Sequence, residues 1–310
     1  IQRVLDDGVD IGNHTSDGHV DIPKMKAGGL GVQFFSIWVQ PKLYPGDKAI
    51  DRTWKMINGL KKQVETCQDL ELATSPKEIT EIISSGKIVA AMGIEGGHSI
   101  RGSIDLLKEY FEVGVRYMTL TWSNSNEICG SSGDSGKYDG LTKFGKEVVK
   151  LMNQMGMMVD ISHVSDKAFF EVLEVSQKPP IVSHSNTRKL CNHPRNLTDD
   201  MLKVLAEHNG VCGINFYPLF LVENYHVEKK DATYKNVADH IDHAVNIAGI
   251  DHVAIGSDYD GIPSVPKGLE DISKLPNLVS ELEKRGYKED DINKLLYQNV
   301  MRVFEEVSNV

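Results

Sequence analysis

Two short stretches, Met158-Val159-Asp160-Ile161-Ser162-His163 and Pro180-Ile181-Val182-Ser183-His184, set the terms for the whole chain. Each is a run of apolar and β-branched residues that ends in Ser-His. Such a run reads as a buried strand, with its histidine where the strand opens into a loop. Residues 166–176 between them have the length and pattern of a helix. The result is a strand–helix–strand unit with one imidazole at the end of each parallel strand, and in an α/β barrel those ends face the catalytic mouth. Either histidine alone is more simply explained by a local hydrogen bond. The repetition within one βαβ unit points instead to a shared divalent metal, for which neutral imidazole is a good ligand.

The rest of the chain repeats that alternation. Strand-like runs occupy residues 31–39, 88–94, 115–122, 158–163, 180–184, 210–216 and 253–257, separated by helical sequence at 49–66, 76–86, 103–113, 141–155, 166–176, 199–208 and 232–247. Ser75-Pro76-Lys77-Glu78 carries a helix-start signal, and Thr198 is placed as a cap. Two further helices, 275–285 and 289–307, close the chain, while residues 1–21 read as extended or loop. Regular alternation implies a parallel sheet, and the expected architecture is one (β/α) barrel domain over residues 1–310 with C-terminal helices. Seven strands fall one short of a closed (β/α)8 barrel, which leaves unpaired edges. Either one strand is hidden in this sequence or the first lies upstream of Ile1.

Composition narrows the function classes. With 310 residues and 40% apolar side chains, the chain can build a sizeable core, and its net charge of −10 argues against a nucleic-acid or anionic-membrane partner. No apolar run is long enough to span a bilayer, and no secretory signal is visible at Ile1. The four cysteines are widely spaced and read as free thiols, which leaves the compartment open.

Other strand ends carry polar groups. Glu95 follows Ala91-Met92-Gly93-Ile94, and Asp258 follows Ala254-Ile255-Gly256-Ser257. Trp122 and Asn124 follow the Thr119-Leu120-Thr121 strand, at the start of a long Ser/Gly/Asn-rich loop over residues 123–140. In a barrel, Glu95, His163, His184 and Asp258 converge. A carboxylate can bridge metals, and an aspartate beside an activated water can shuttle protons. Taken singly, Glu95 is equally a loop acid bonded to backbone amides and Asp258 a turn former. Arg195, soon after the second Ser-His strand, can clamp a substrate carboxylate at the rim of a metal site, although taken singly it reads more simply as an ordinary surface arginine. His240 and His243 read as a polar helix face, and His14, His208, His226 and His252 as ordinary histidines.

Several strings, taken together, resemble the renal (membrane) dipeptidase family of metallopeptidases in the amidohydrolase superfamily. They are Gly93-Ile94-Glu95-Gly96-Gly97-His98-Ser99-Ile100, Val159-Asp160-Ile161-Ser162-His163, Ser183-His184-Ser185-Asn186, His193-Pro194-Arg195-Asn196-Leu197, Gly256-Ser257-Asp258-Tyr259-Asp260-Gly261 and Gly268-Leu269-Glu270-Asp271. The resemblance runs from about His19 to Phe304. It implies a (β/α)8 TIM barrel of amidohydrolase type with two zinc ions, hydrolysing dipeptides that include some with a C-terminal D-residue. Carried over, Glu95 resembles the carboxylate that bridges the metals, and His163 and His184 resemble imidazoles on the second metal. Arg195 resembles the substrate-carboxylate clamp and Asp258 the acid/base.

Two departures stand out. His19-Val20-Asp21 looks like the family's first-metal His-x-Asp pair, but Ile22-Pro23-Lys24-Met25-Lys26-Ala27-Gly28-Gly29 continues it like a later segment, just before strand two. The pair is therefore expected upstream of Ile1, with His19 and Asp21 the second choice. Trp122 stands where the family often has a histidine and offers one N–H donor with no basic nitrogen; Asn124 or Asn126 is the expected replacement. The leading expectation is a zinc dipeptidase with one or two ions, working by metal-activated water. Trp122 and Asn124 join Arg195 in the substrate contacts, and a homodimer is among the expected assemblies. A dipeptide-binding homologue without turnover, and an amidohydrolase acting on another amide or a lactone, stay open. So does an upstream signal or anchor.

Overall fold

A computed structural model describes residues 1–134, 138–225 and 231–310. Eight strands form one parallel sheet: β1 Val32–Trp38, β2 Leu70–Leu72, β3 Ile88–Glu95, β4 Val115–Thr119, β5 Met158–Asp160, β6 Ile181–Ser185, β7 Val211–Ile214 and β8 Val253–Ile255. The path runs β1-β3-β4-β5-β6-β7-β8, seven strands curled into a part-barrel of the (β/α)8 kind. These are the seven strands expected. Among the described residues no ladder joins β1 to β8. The additional strand, β2, is only three residues long and is a strand hidden in the sequence, outside the seven runs. It pairs with the N-terminal half of β3, Leu70 opposite Ile88 and Leu72 opposite Ala90, while β4 takes over from Met92 onward. It therefore adds no side chain to the mouth.

The helices follow from their caps. Ser75, Ser103, Thr142, Ser165 and Thr198 each accept a hydrogen bond from a backbone N–H in the first turn of the helix that follows, an arrangement contributing about 1 kcal/mol apiece. These capped helices bury apolar faces, as Lys143–Met155 does with Val148, Val149 and Met152. At the end of the barrel opposite the mouth, Val89, Tyr117, Met158, Ile181, Val211 and Ala254, one from each of six neighbouring strands, pack against Val303, Phe304 and Val307 of the last helix. That helix, expected as one piece over 289–307, is interrupted by a π-helical turn, Lys294–Gln298. Just beyond the turn, the Asn299 amide donates to the carbonyls of Ile250 and Val253 and ties the helix to the start of β8.

Residues 1–21 are not purely extended. Gln2–Asp6 is a short helix, and Asp21 caps another, Ile22–Ala27, by accepting from the Lys24 N–H. Two glycines, Gly213 in β7 and Gly256 just past β8, make room for the site. A Cβ at Gly213 would lie 2.3 Å from the Ser183 carbonyl oxygen and one at Gly256 only 2.1 Å from the same atom, so β7 and β8 approach β6 where it delivers His184.

Candidate active site

The sheet register aligns the strand ends. Trp38 lies opposite Glu95, Glu95 opposite Thr119, and Thr119 opposite Asp160. Glu95 and Asp160 are the last residues of β3 and β5, His184 lies within β6, and His163 and Asp258 sit just past β5 and β8. His163 and Asp258 have left-handed backbones, φ 67° and 60°. For non-glycine residues this conformation is costly and tends to persist where a side chain must be aimed.

Glu95, His163 and His184 come together. The two Nε2 atoms are 2.9 Å apart, and one Glu95 oxygen lies 3.1 Å from His163 Nε2 and 3.6 Å from His184 Nε2. A triangle whose longest edge is 3.6 Å fits inside a circle of about 2.1 Å radius, a zinc–nitrogen bond length. One divalent ion can thus reach all three atoms. The other Glu95 oxygen accepts a hydrogen bond from Ser36 Oγ at 3.1 Å. Burial holds both imidazoles well below their ordinary pKa; the Arg195 guanidinium adds to this at both, against Asp160 at His163 and Glu95 at His184. They are neutral at pH 7, the form a metal requires. His163 Nδ1 is buried without a partner. Two neutral imidazoles and one carboxylate, with an open position, are a common donor set for catalytic zinc. The chain fits a metal here on its own geometry. Among the described residues this is the one cluster of three or more histidine, cysteine or acidic side chains close enough to share an ion.

Asp258 and Arg195 share the mouth. Burial and the negative charge of Glu95 push the Asp258 carboxyl up to about 7, against the opposing pull of the Asn215 hydrogen bond and of Arg195. Asn215 Nδ2 donates to Asp258 at 3.0 Å. Arg195 is 7% exposed; its Nη2 donates to the His184 carbonyl at 2.9 Å, its guanidinium lies 5.6 Å from the Phe220 ring centre, and its Nε is buried without a partner. Among the described residues no carboxylate lies within ion-pair distance of it. A buried guanidinium with donors to spare suits an incoming carboxylate.

Trp122 packs edge-on against Trp38, ring centres 4.9 Å apart, and its ring centre is 6.4 Å from that of His163. The two indoles wall one side of the cluster. Asn124 donates only a long 3.5 Å contact to the Ser125 carbonyl, and its Oδ1 is buried without a partner. It lines a cavity of about 400 Å³ with His98, Arg101 and Tyr44. Asn126 lines the same cavity but is tied into the loop, donating to the Leu120 carbonyl and accepting from the Ile128 N–H.

His19 and Asp21 do not join the cluster. His19 Nδ1 accepts from the Asp260 N–H, while Asp21 is buried, paired with Lys24 and bonded to Thr15. His240 departs from expectation in a different way. It is 1% exposed, accepts from the Thr187 N–H and contacts the Leu221 carbonyl; it pins loops rather than lying on a polar face. His243 pairs with Asp199 at 2.7 Å. His14 meets Asp21, His208 the Val204 carbonyl and His252 the Gly210 carbonyl; His226 lies outside the described residues.

Sequence reasoning left three contributors aside. Asp160 is fully buried beneath the histidines, Asn215 orients Asp258, and Trp38 completes the aromatic wall. The available signals were slight: an acid inside an apolar strand, an asparagine just past β7, and an aromatic residue at the end of β1.

Comparison with known proteins agrees with this geometry. The membrane dipeptidase family, peptidase family M19, matches residues 3–310. The chain belongs to the membrane dipeptidase family. It is 36% identical over 302 residues to the dipeptidase tcpJ of Claviceps purpurea, an alignment covering 94% of this chain and 70% of that one. Among solved structures it resembles a metallopeptidase from Rhodobacter sphaeroides bound to a phosphinate mimic of the dipeptide L-Ala-D-Ala, with 27% identity, TM-score 0.90, and coverage of 98% and 96% of the two chains. The family M19 dipeptidase AC is similar at 28% identity and TM-score 0.91, covering 99% and 96%. This membrane dipeptidase family member is a metal-dependent dipeptidase. No described helix is long and apolar enough to cross a membrane.

Proposed function

We propose that the metal is zinc, held by Glu95, His163 and His184, and that the substrate is a free dipeptide whose C-terminal carboxylate is bound by Arg195. Arg195 carries this reading, as a buried guanidinium with no carboxylate partner among the described residues, bonded to the backbone of the strand that presents His184. A clamp on the terminal carboxylate, a short distance from the reacting carbonyl, limits the substrate to very short peptides. Bound at the three ligands, zinc would acidify a water and polarise the peptide carbonyl.

The remaining work falls to the chain's own groups. Asp258, ionised and held by Asn215, takes the proton from the attacking water and returns it to the amide nitrogen as the C–N bond breaks. The Trp38–Trp122 wall keeps bulk water from that side of the cluster, which strengthens the charge interactions inside. Asn124 lines the neighbouring cavity, where it would meet the substrate's amino-terminal half. The Rhodobacter relative's ligand supports including dipeptides with a C-terminal D-residue among the substrates.

The test compares a dipeptide with its C-terminal amide. Charge-assisted hydrogen bonds are worth roughly 1.5–3 kcal/mol, so Arg195→Met should lower kcat/KM for the free dipeptide by roughly 10- to 100-fold. The amide should be poor with the parent enzyme and little changed by the substitution. If both substrates lose equally, Arg195 does not bind the carboxylate.

A further inference from the structure

The cluster rests on a buried carboxylate that touches no metal ligand directly. Asp160 is fully buried, and each of its four contacts is a donor. One oxygen accepts from the Ser162 and Ser183 N–H groups, both at 3.0 Å; the other accepts from the hydroxyls of Thr119 at 2.5 Å and Ser183 at 2.6 Å. These donors come from β4, from the turn after β5 and from β6. Ser183 Oγ in turn lies 2.8 Å from His184 Nδ1.

A hydroxyl has one proton. The Ser183 proton is committed to Asp160, so its oxygen can meet His184 only as an acceptor, and His184 must donate from Nδ1. That leaves Nε2 bare, the atom that faces Glu95 and His163. His163 has no such arrangement, since its Nδ1 is buried without a partner.

We infer that Asp160 is a positioning residue for the metal centre, acting through the Ser183 hydroxyl to hold His184 in the tautomer whose Nε2 can bind a cation. Outer-shell carboxylates act this way on metal-bound histidines, usually by direct contact; here a serine is interposed. The inference rests on the proposed ligand role of His184, and the experiment separates the two.

The informative substitution is Asp160→Asn. Its NH2 cannot face the Ser162 and Ser183 N–H donors, so it must take the side of the two hydroxyls. Ser183 Oγ then accepts from the amide and turns its own proton to His184 Nδ1, which moves the imidazole proton to Nε2. In chelator-treated full-length protein, nitrogen NMR of His184 should show Nδ1 changing from pyrrole-type to pyridine-type. Zinc affinity, measured by competition with a chelating dye, should fall roughly 10- to 100-fold. Ser183→Ala, which keeps Asp160 and the backbone bonds, should also admit the Nε2–H tautomer and weaken zinc binding. It decides the matter if Asp160→Asn fails to fold. An unchanged His184 tautomer with zinc affinity within twofold of the parent would overturn the inference. A parent protein that binds no zinc would instead refute the ligand role, while the tautomer readout, taken without metal, would still judge the relay.

Discussion

Replacing Asp258 with Asn should make the metal-free protein more stable at alkaline pH while slowing, not abolishing, hydrolysis by the metal-loaded enzyme. In the folded chain the carboxyl is raised from 3.8 to about 7 by burial and by Glu95, so ionising it costs folding free energy. The sign follows from proton counting. Between about pH 4 and 7 the folded state holds a proton that the unfolded state has released, so stability falls as pH rises through that window, and the full loss is present above about pH 7. About three pH units at 1.4 kcal/mol each gives roughly 4 kcal/mol. The residue is only partly screened from solvent, which halves the figure to roughly 2 kcal/mol. For a chain of this size that is a Tm difference of about 3 °C. Asparagine suits the site, because it tolerates the left-handed backbone and its carbonyl oxygen can still accept from Asn215. The assay is calorimetry of chelator-treated parent and variant at pH 8 and pH 5.5. Other titrating groups, including the neutral histidines, cancel in the comparison. The variant should melt higher at pH 8, and the advantage should shrink at pH 5.5. An equal gap at both values, or a less stable variant at pH 8, would refute the assignment of a destabilised charge. Loss of the proton carrier should also lower kcat by roughly 10²- to 10⁴-fold.

Three further outcomes follow from the same geometry. The rate of dipeptide hydrolysis should fall on the acid side with an apparent pKa at or below about 7, because Asp258 acts ionised and a bound cation can only lower its pKa; the pH profile of kcat/KM checks this, and the limb should vanish in Asp258→Asn. Gly256→Ala should destabilise by roughly 1–3 kcal/mol and weaken zinc binding, since the new Cβ would press on the Ser183 carbonyl; denaturant unfolding and a zinc titration read the two effects. His163→Ala should lower zinc content and activity together, seen by elemental analysis and rate on one sample.

Much of this was legible in the sequence because buried parallel strands are written as continuous apolar runs. Where such a run ends in a polar residue, the fold places that residue at the mouth, which is why Glu95, His163, His184 and Asp258 could be named. Contacts between segments were not legible. Asp160 looks like an interruption of an apolar strand, and its partners Thr119 and Ser183 lie on neighbouring strands. His240 has the spacing of an exposed helix position, yet its ring is buried against loops that no periodicity reveals. Leu70–Leu72 is too short to show a period, and the π turn at Lys294–Gln298 preserves an apolar pattern that reads as plain helix. Asn124 and Asn126 are alike in sequence, and only the hydrogen bonds separate the amide tied into its loop from the one whose oxygen has no partner.

The most direct test is a zinc titration of chelator-treated protein, with bound metal and hydrolysis of a free dipeptide measured on the same samples, for the parent and for His184→Ala. Hydrolysis should be absent without metal, rise in step with zinc bound by the parent, and stay absent in the variant, which should bind zinc far more weakly. Full hydrolysis without metal, or equal zinc binding and turnover by the variant, would contradict a catalytic ion held by Glu95, His163 and His184.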